Sequence, residues 1–184
     1  MILLEKIDDN EFKDKVSIYI ENINNGFERY ISGILEYEEV TIDNMVENVK
    51  IKEDTVIKFI KEVYKINNSK DIYIDFYFEN LSKESIESIK NNIEKEDIEV
   101  LENHIEKFGN KGVYFRLPHE GLIPFFMRLN TRELFFSTFY FNEVPMTFWG
   151  NYNYSFPMFF KCEKDFEFYF KLAKKFGLTI RKIK

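Results

Sequence analysis

Asp71 to Glu79, DIYIDFYFE, alternates without a break. Ile72, Ile74, Phe76 and Phe78 fall on one side of an extended chain, and Tyr73, Asp75, Tyr77 and Glu79 on the other. Successive side chains of a strand point to opposite faces, so this pattern predicts a half-buried strand. Further strands follow. Leu134 to Phe141, LFFSTFYF, is apolar on both faces, as a central strand of a sheet is. Val113–Leu117 is a short strand closed by Pro118. Pro145–Trp149 and Phe156–Phe160 flank the turn-rich GNYNYS, and Leu178–Ile183 returns as one more strand.

Elsewhere the apolar spacing is helical. Ser82 and Ser85 stand near a helix start ahead of Ile86, Ile89 and Ile93. Ile98, Leu101, Ile105 and Phe108 mark another helix, ending at Gly109, and Phe166, Tyr169, Phe170 and Ala173 one that stops at Gly177. The first 40 residues also read as helix. Phe12, Val16, Tyr19, Ile20 and Ile23 make one stripe, Phe27, Tyr30, Ile31, Ile34 and Leu35 the next, with Asn24-Asn25-Gly26 as a break between them. Ile42, Met45, Val46 and Val49 then give a short helix. Lys50-Ile51-Lys52 interrupts, and Val56, Phe59, Ile60 and Val63 resume as a longer helix. The expected class is α+β: a helical part over residues 1–66, then an aromatic-rich α+β part over 70–184 built on a mixed sheet with flanking helices.

Charge supports two regions of different chemistry. Residues 1–112 hold 26 acidic and 15 basic side chains, a net −11; residues 113–184 hold 6 and 11, a net +5. Phenylalanine divides 6 to 15 across the same boundary. The 21 aromatics of the second region suit a packed core, and also suit a stacking platform for single strands. LFFSTFYF contains no base, which favours the core. The stretch Leu134–Asn142 is uncharged but far shorter than the roughly 18 apolar residues of a membrane span. MILLEKIDDN has too brief an apolar run for a signal peptide, and Cys162 has no partner for a disulfide or metal cluster. A cytoplasmic protein that needs no membrane and no cofactor is the expectation.

Within Thr41–Lys65 the segment VKIKEDTVIKFI resembles the helix-turn-helix of prokaryotic and winged-helix regulators. Val49 and Ile51 match the apolar places before and at the end of the turn, and Thr55-Val56 the opening of the recognition helix. The resemblance covers residues 27–65. It implies supporting helices at 27–38 and 42–49 and a recognition helix from near Glu53, with Glu53, Asp54, Ile57, Lys58 and Lys61 outward. It further implies double-stranded DNA as partner, met by Lys52, Thr55, Lys58, Lys61 and Lys65, and a homodimer reading paired half-sites. The motif holds five acids, five bases and no arginine, and Lys50 stands where many relatives have glycine. An ordinary pair of packed helices satisfies the same spacing. A fainter similarity links Ser137–Lys175 to degenerate phospholipase-D-like sensor domains; the His-x-Lys pair of the hydrolase is absent, so no activity transfers.

Catalytic patterns are not evident. His104 reads as a solvated residue of a polar helix, and His119-Glu120 as a loop pair near Arg116 and Arg128 without an accompanying nucleophile or phosphate motif. Cys162 reads as a core residue at a strand end. Arg116, His119, Arg128, Trp149, Asn151 and Tyr152 are the candidate ligand or partner surface, the last three in a loop that is also an ordinary hairpin turn. The sequence thus points to a non-enzymatic DNA-binding regulator with an effector or partner-binding C-terminal part. The alternative is an acidic interaction module, of inhibitor or immunity type, that covers a basic protein.

Overall fold

The computed structural model describes residues 3–37, 45–68, 71–78, 81–109 and 111–183. Among these residues eight strands form one sheet: β1 (Glu5–Lys6), β2 (Ile31–Tyr37), β3 (Tyr73–Asp75), β4 (Tyr114–Arg116), β5 (Phe139–Phe141), β6 (Met146–Phe148), β7 (Phe156–Phe160) and β8 (Leu178–Lys182). Their order across the sheet is β1-β4-β3-β5-β6-β7-β2-β8. Every pairing is antiparallel, where a mixed sheet was expected. Seven α-helices complete an α+β fold: α1 (Asp9–Lys15), α2 (Ile23–Arg29), α3 (Met45–Ile66), α4 (Lys83–Lys90), α5 (Lys95–Phe108), α6 (Ile123–Thr131) and α7 (Glu163–Lys174). None of the described helices is long and apolar enough to cross a membrane.

The register sorts side chains into two faces. Phe115, Ile74, Phe139, Phe148 and Met158 stand in one row across neighbouring strands. They pack with Val56, Phe59, Ile60 and Val63 of α3, and with α6 and α7, into the main core. Such burial, at about 1.5–3 kcal/mol per large side chain, dominates the fold's stability. The opposite row runs Arg116, Tyr73, Tyr140, Thr147, Phe159 and Ser32. Residues 7–30 cover it in two patches. Phe12 of α1 stacks on Tyr114 with centroids 3.8 Å apart and meets Tyr140 edge-on at 5.0 Å. Further along, Ile18, Ile20 and Phe27 close over Phe159.

Several expectations are corrected at the N-terminal end. Tyr30–Leu35 is not helix. ISGILEY is strand β2, lying between β7 and β8 and bonded to both. Its β-branched and apolar residues serve a pleated surface as well as a helix, and pairing partners more than 100 residues away decide the matter. Asn24-Asn25-Gly26 does not break a helix but lies inside α2, where a Cβ on Gly26 would come within 2.7 Å of the Phe159 ring. Lys50-Ile51-Lys52 is no turn either: α3 runs through it as one helix of 22 residues. The tripeptide contains neither Gly nor Pro, and lysine is a good helix former, so nothing local stops the helix. The helix-turn-helix geometry is therefore not formed by residues 45–66; the link at Val40-Thr41 and Ile42 lie outside the described residues.

The expected division into 1–66 and 70–184 cuts across the sheet, because β1 and β2 come from the first part and the other six strands from the second. Other elements fall where the spacing puts them. Ser82 caps α4 through the Ser85 N–H, α5 ends before Gly109, and α7 precedes Gly177, whose φ of 70° favours a residue without a side chain. DIYIDFYFE and LFFSTFYF are shorter as strands than their patterns, confined to Tyr73–Asp75 and Phe139–Phe141, although β5 is central as expected.

Candidate binding cleft

The two N-terminal patches leave a gap between them on the second face of the sheet. The gap is a cleft of about 310 Å³. Its inner wall is made by Asp75 at the end of β3, Thr138 just before β5, and Tyr140 within β5. Tyr77, Phe136 and Trp149 add aromatic surface, Gly150 backs it, and Ile20 with Glu21 closes the side opposite the sheet. Asn142 holds the cover in place, its Oδ1 accepting from the Ser17 N–H (2.7 Å) and its Nδ2 donating to the Lys15 and Asp71 carbonyls (3.1 and 2.9 Å). Thr147 adds a hydroxyl bond to the Ile18 carbonyl (2.9 Å).

Asp75 is the unusual group. Only 5% of its surface is exposed. Thr138 donates its backbone N–H to Oδ1 (2.6 Å), and the Tyr140 hydroxyl donates to Oδ2 (3.3 Å). Burial pushes the carboxyl up to about 7, and these donors offset only part of that. No cation among the described residues contributes to its surroundings. Buried carboxylates are ordinarily paired with a positive group. Glu21, exposed at the mouth, is a second acid, and none of the described residues lining the cleft is basic.

Backbone geometry fixes the back wall. A Cβ on Gly150 would sit 2.5 Å from Asn130 Oδ1 and 2.8 Å from the Ser137 carbonyl. Those atoms belong to a two-way clamp: the Ser137 N–H donates to Asn130 Oδ1 (2.8 Å), and Asn130 Nδ2 donates to the Ser137 carbonyl (3.0 Å). The clamp ties α6 to the segment that carries Phe136 and Thr138 into β5, so the cleft wall is anchored to a helix and a central strand. Larger depressions are differently built. One of about 560 Å³ is lined by Val49, Lys50 and Asp54 together with Glu53, Glu94, Arg128 and Arg132, these last four being ion-paired among themselves.

The other candidate residues are dispersed. Arg116, Arg128, His119 and Trp149 line four separate depressions. Arg116 reaches Glu5 of β1 (2.9 Å), and Arg128 grips Asp97 of α5 through Nε and Nη2 (2.5 and 2.8 Å). His119 accepts the Gly121 N–H on Nδ1 (2.9 Å), capping a 3-10 turn at Glu120–Leu122. Trp149 lies in the cleft, whereas Asn151 stays within its loop, donating to the Ser155 carbonyl (2.9 Å). Tyr152 is 56% exposed and meets Phe136 edge-on at 4.5 Å. On α3, Thr55 donates to the Ile51 carbonyl (2.7 Å), and the Lys52 ammonium lies over the Tyr37 ring. Lys58, Lys61 and Lys65 share an outer stripe, and Lys65 stands 3.7 Å from Glu120. Glu53, expected outward, is buried against Arg132 and Thr131. Cys162, expected in the core, is exposed ahead of α7.

His104 is not solvated. It is 4% exposed on α5 and ringed by Phe76, Phe78, Phe108 and Phe115 at centroid distances of 4.9–5.7 Å, with Nδ1 unpartnered. Burial lowers it to about 4. The unfolded chain takes up a proton below about 6.5 and the folded chain does not, so stability falls as pH drops from about 6.5 to about 4. His104→Leu removes this loss. At about pH 5 it is expected to unfold about 2 kcal/mol less readily than the parent. Urea titrations at about pH 5 and 8 read this directly, and an equal effect at both pH values would show that the imidazole is not the cause.

Comparison with protein-family models, curated proteins and solved structures finds no match to the chain.

Proposed function

We propose that the protein is a non-enzymatic binding module whose cleft receives a positively charged organic group. One observation carries this reading: a buried carboxylate, Asp75, faces an aromatic-walled cleft to which no described residue brings a cation. A guest cation gains the carboxylate, the faces of Tyr77, Phe136, Tyr140 and Trp149, and the second charge of Glu21 at the mouth. The dispersal of the polar candidates supports a binder over an enzyme, since His119, Arg116 and Arg128 are each committed to a structural contact elsewhere. Because Cys162 has no partner within the chain, we place the module in the cytoplasm. This reading follows the alternative of an acidic module for a basic partner. DNA binding has lost the two-helix geometry that recommended it.

The test is a calorimetric titration with guanidinium, methylguanidine and tetramethylammonium. A dissociation constant of roughly 0.1–1 mM is expected for the best of them, and none in Asp75→Asn. Affinity rises as pH passes upward through about 7, as Asp75 ionises. It levels off above about pH 8, because the hydroxyls facing it, Tyr77 and Tyr140, are pushed up and stay neutral. Affinity for a neutral saccharide, or for duplex DNA at low salt, with none for these cations, sinks the reading.

A further inference from the structure

The mouth of the cleft carries more apolar surface than a small cation can use. Tyr77, on the rim, is 42% exposed. Tyr152 lies outside the cleft, held edge-on against its Phe136 wall, and is 56% exposed. These are two of the few large apolar or aromatic side chains exposed among the described residues, and both stand at this opening. The rim is also acidic: Glu21 is exposed there, and Asp9 at the start of α1 lies near enough to raise the Tyr77 hydroxyl. A half-open cleft flanked by exposed tyrosines is the anatomy of a protein interface, where aromatic anchors bury their faces only when a second surface closes over them.

Resting on the cation-binding reading, we infer that the natural occupant is an arginine side chain projected from a basic segment of a partner protein. Three features select it. Asp75 accepts from the Thr138 N–H and the Tyr140 hydroxyl, and the Thr138 side chain adds a third donor; with about four lone-pair sites on its two oxygens it keeps acceptor capacity for a planar donor. A guanidinium is more weakly hydrated than an ammonium and stacks on aromatic rings, so it enters an aromatic-walled cleft at lower desolvation cost than lysine does. The space of about 310 Å³ admits one long side chain and not the segment that bears it. The rest of that segment lies across Tyr77 and Tyr152, its other basic residues facing Glu21 and Asp9.

The probes are N-acetylarginine amide and a short acetylated peptide with one central arginine flanked by lysine and glycine. Titrated into the whole chain, the peptide is expected to bind at least about tenfold tighter than the blocked amino acid, the gain of one or two buried aromatic anchors. Replacing its arginine by the neutral isostere citrulline removes binding. In Tyr152→Ala the peptide's advantage shrinks to about twofold or less. If N-acetylarginine amide binds and the peptide gains nothing, or the gain survives Tyr152→Ala, the partner inference is overturned and the cation site stands. Tighter binding of tetramethylammonium than of N-acetylarginine amide overturns the choice of arginine. If no cation binds to the folded chain, the cation reading itself falls.

Discussion

Asp75→Asn is expected to raise the melting temperature at about pH 8 by about 10 °C while abolishing cation binding. The folded carboxyl lies at about 7, against an ordinary value of 3.8. As pH rises between these values the unfolded chain gives up its proton and the folded chain retains it, so the folded state binds more protons and stability falls with pH. The contribution is fully present below about 3.8 and is lost by about 7, an amount of about 4 kcal/mol. Asparagine keeps the shape and an acceptor for the Thr138 N–H, and its amide can donate to the Tyr140 hydroxyl, so the charge alone is removed. His104 works in the opposite sense between about 4 and 6.5, and the parent's profile is correspondingly flat there until one of the two is replaced. Differential scanning calorimetry at about pH 5 and pH 8 checks this. An unchanged difference between the two pH values would mean that Asp75 is not held at a cost. A residue that lowers stability while facing an open cleft is what a binding site, and not a core, retains.

Arg132→Met is expected to cost about 3 kcal/mol, visible as a lower urea midpoint with an unchanged slope. Arg132 joins three elements: its Nε and Nη2 donate to Glu53 of α3 (2.9 and 2.8 Å), Nη2 also to Glu94 (2.6 Å), and Nη1 to the Asn92 carbonyl (2.9 Å). The Glu53 side chain is 9% exposed and would be left with the Thr131 hydroxyl as its described partner. An uncompensated buried charge is the expensive result of breaking such a pair; the 28% exposure of Arg132 keeps the figure at the low end of the usual range. Replacing Glu53 by Met as well should recover most of the loss, since the pair as a unit adds little over an apolar contact. A single variant within about 0.5 kcal/mol of the parent would show that water already screens the pair.

Helices α4, α5 and α7 are legible because their signals are local: a serine cap at Ser82, periodic isoleucines, and terminal glycines at 109 and 177. β7 and β8 were legible as apolar runs beside turn residues. What escaped depends on distant residues. β2 carries helical spacing, yet it is extended because β7 and β8 bracket it. α6, IPFFMRLNT, is apolar on most sides, so no stripe reveals it. α3 kept its apolar face in register through Lys50–Lys52, and a short motif match outweighed the lack of any breaker. In the site, the sequence singled out Trp149 and Tyr152 but read Asp75 as one of the solvent-facing positions of its strand. The alternation was right about the face. That face is roofed by residues 7–30, a long-range arrangement that no window around Asp75 contains.

The place of β2 between β7 and β8 also governs the order in which the molecule can be assembled. A chain growing from its N-terminus exposes Ile31–Tyr37 long before Phe156–Phe160 and Leu178–Lys182 exist, so an early-made strand waits with both edges bare while more than 100 residues are added. Closing that side of the sheet is a late, slow, high-separation step. Until it is complete, Ile31, Ile34 and Leu35 are an unprotected template for another strand, and that half-made edge is where this protein is most exposed to aggregation.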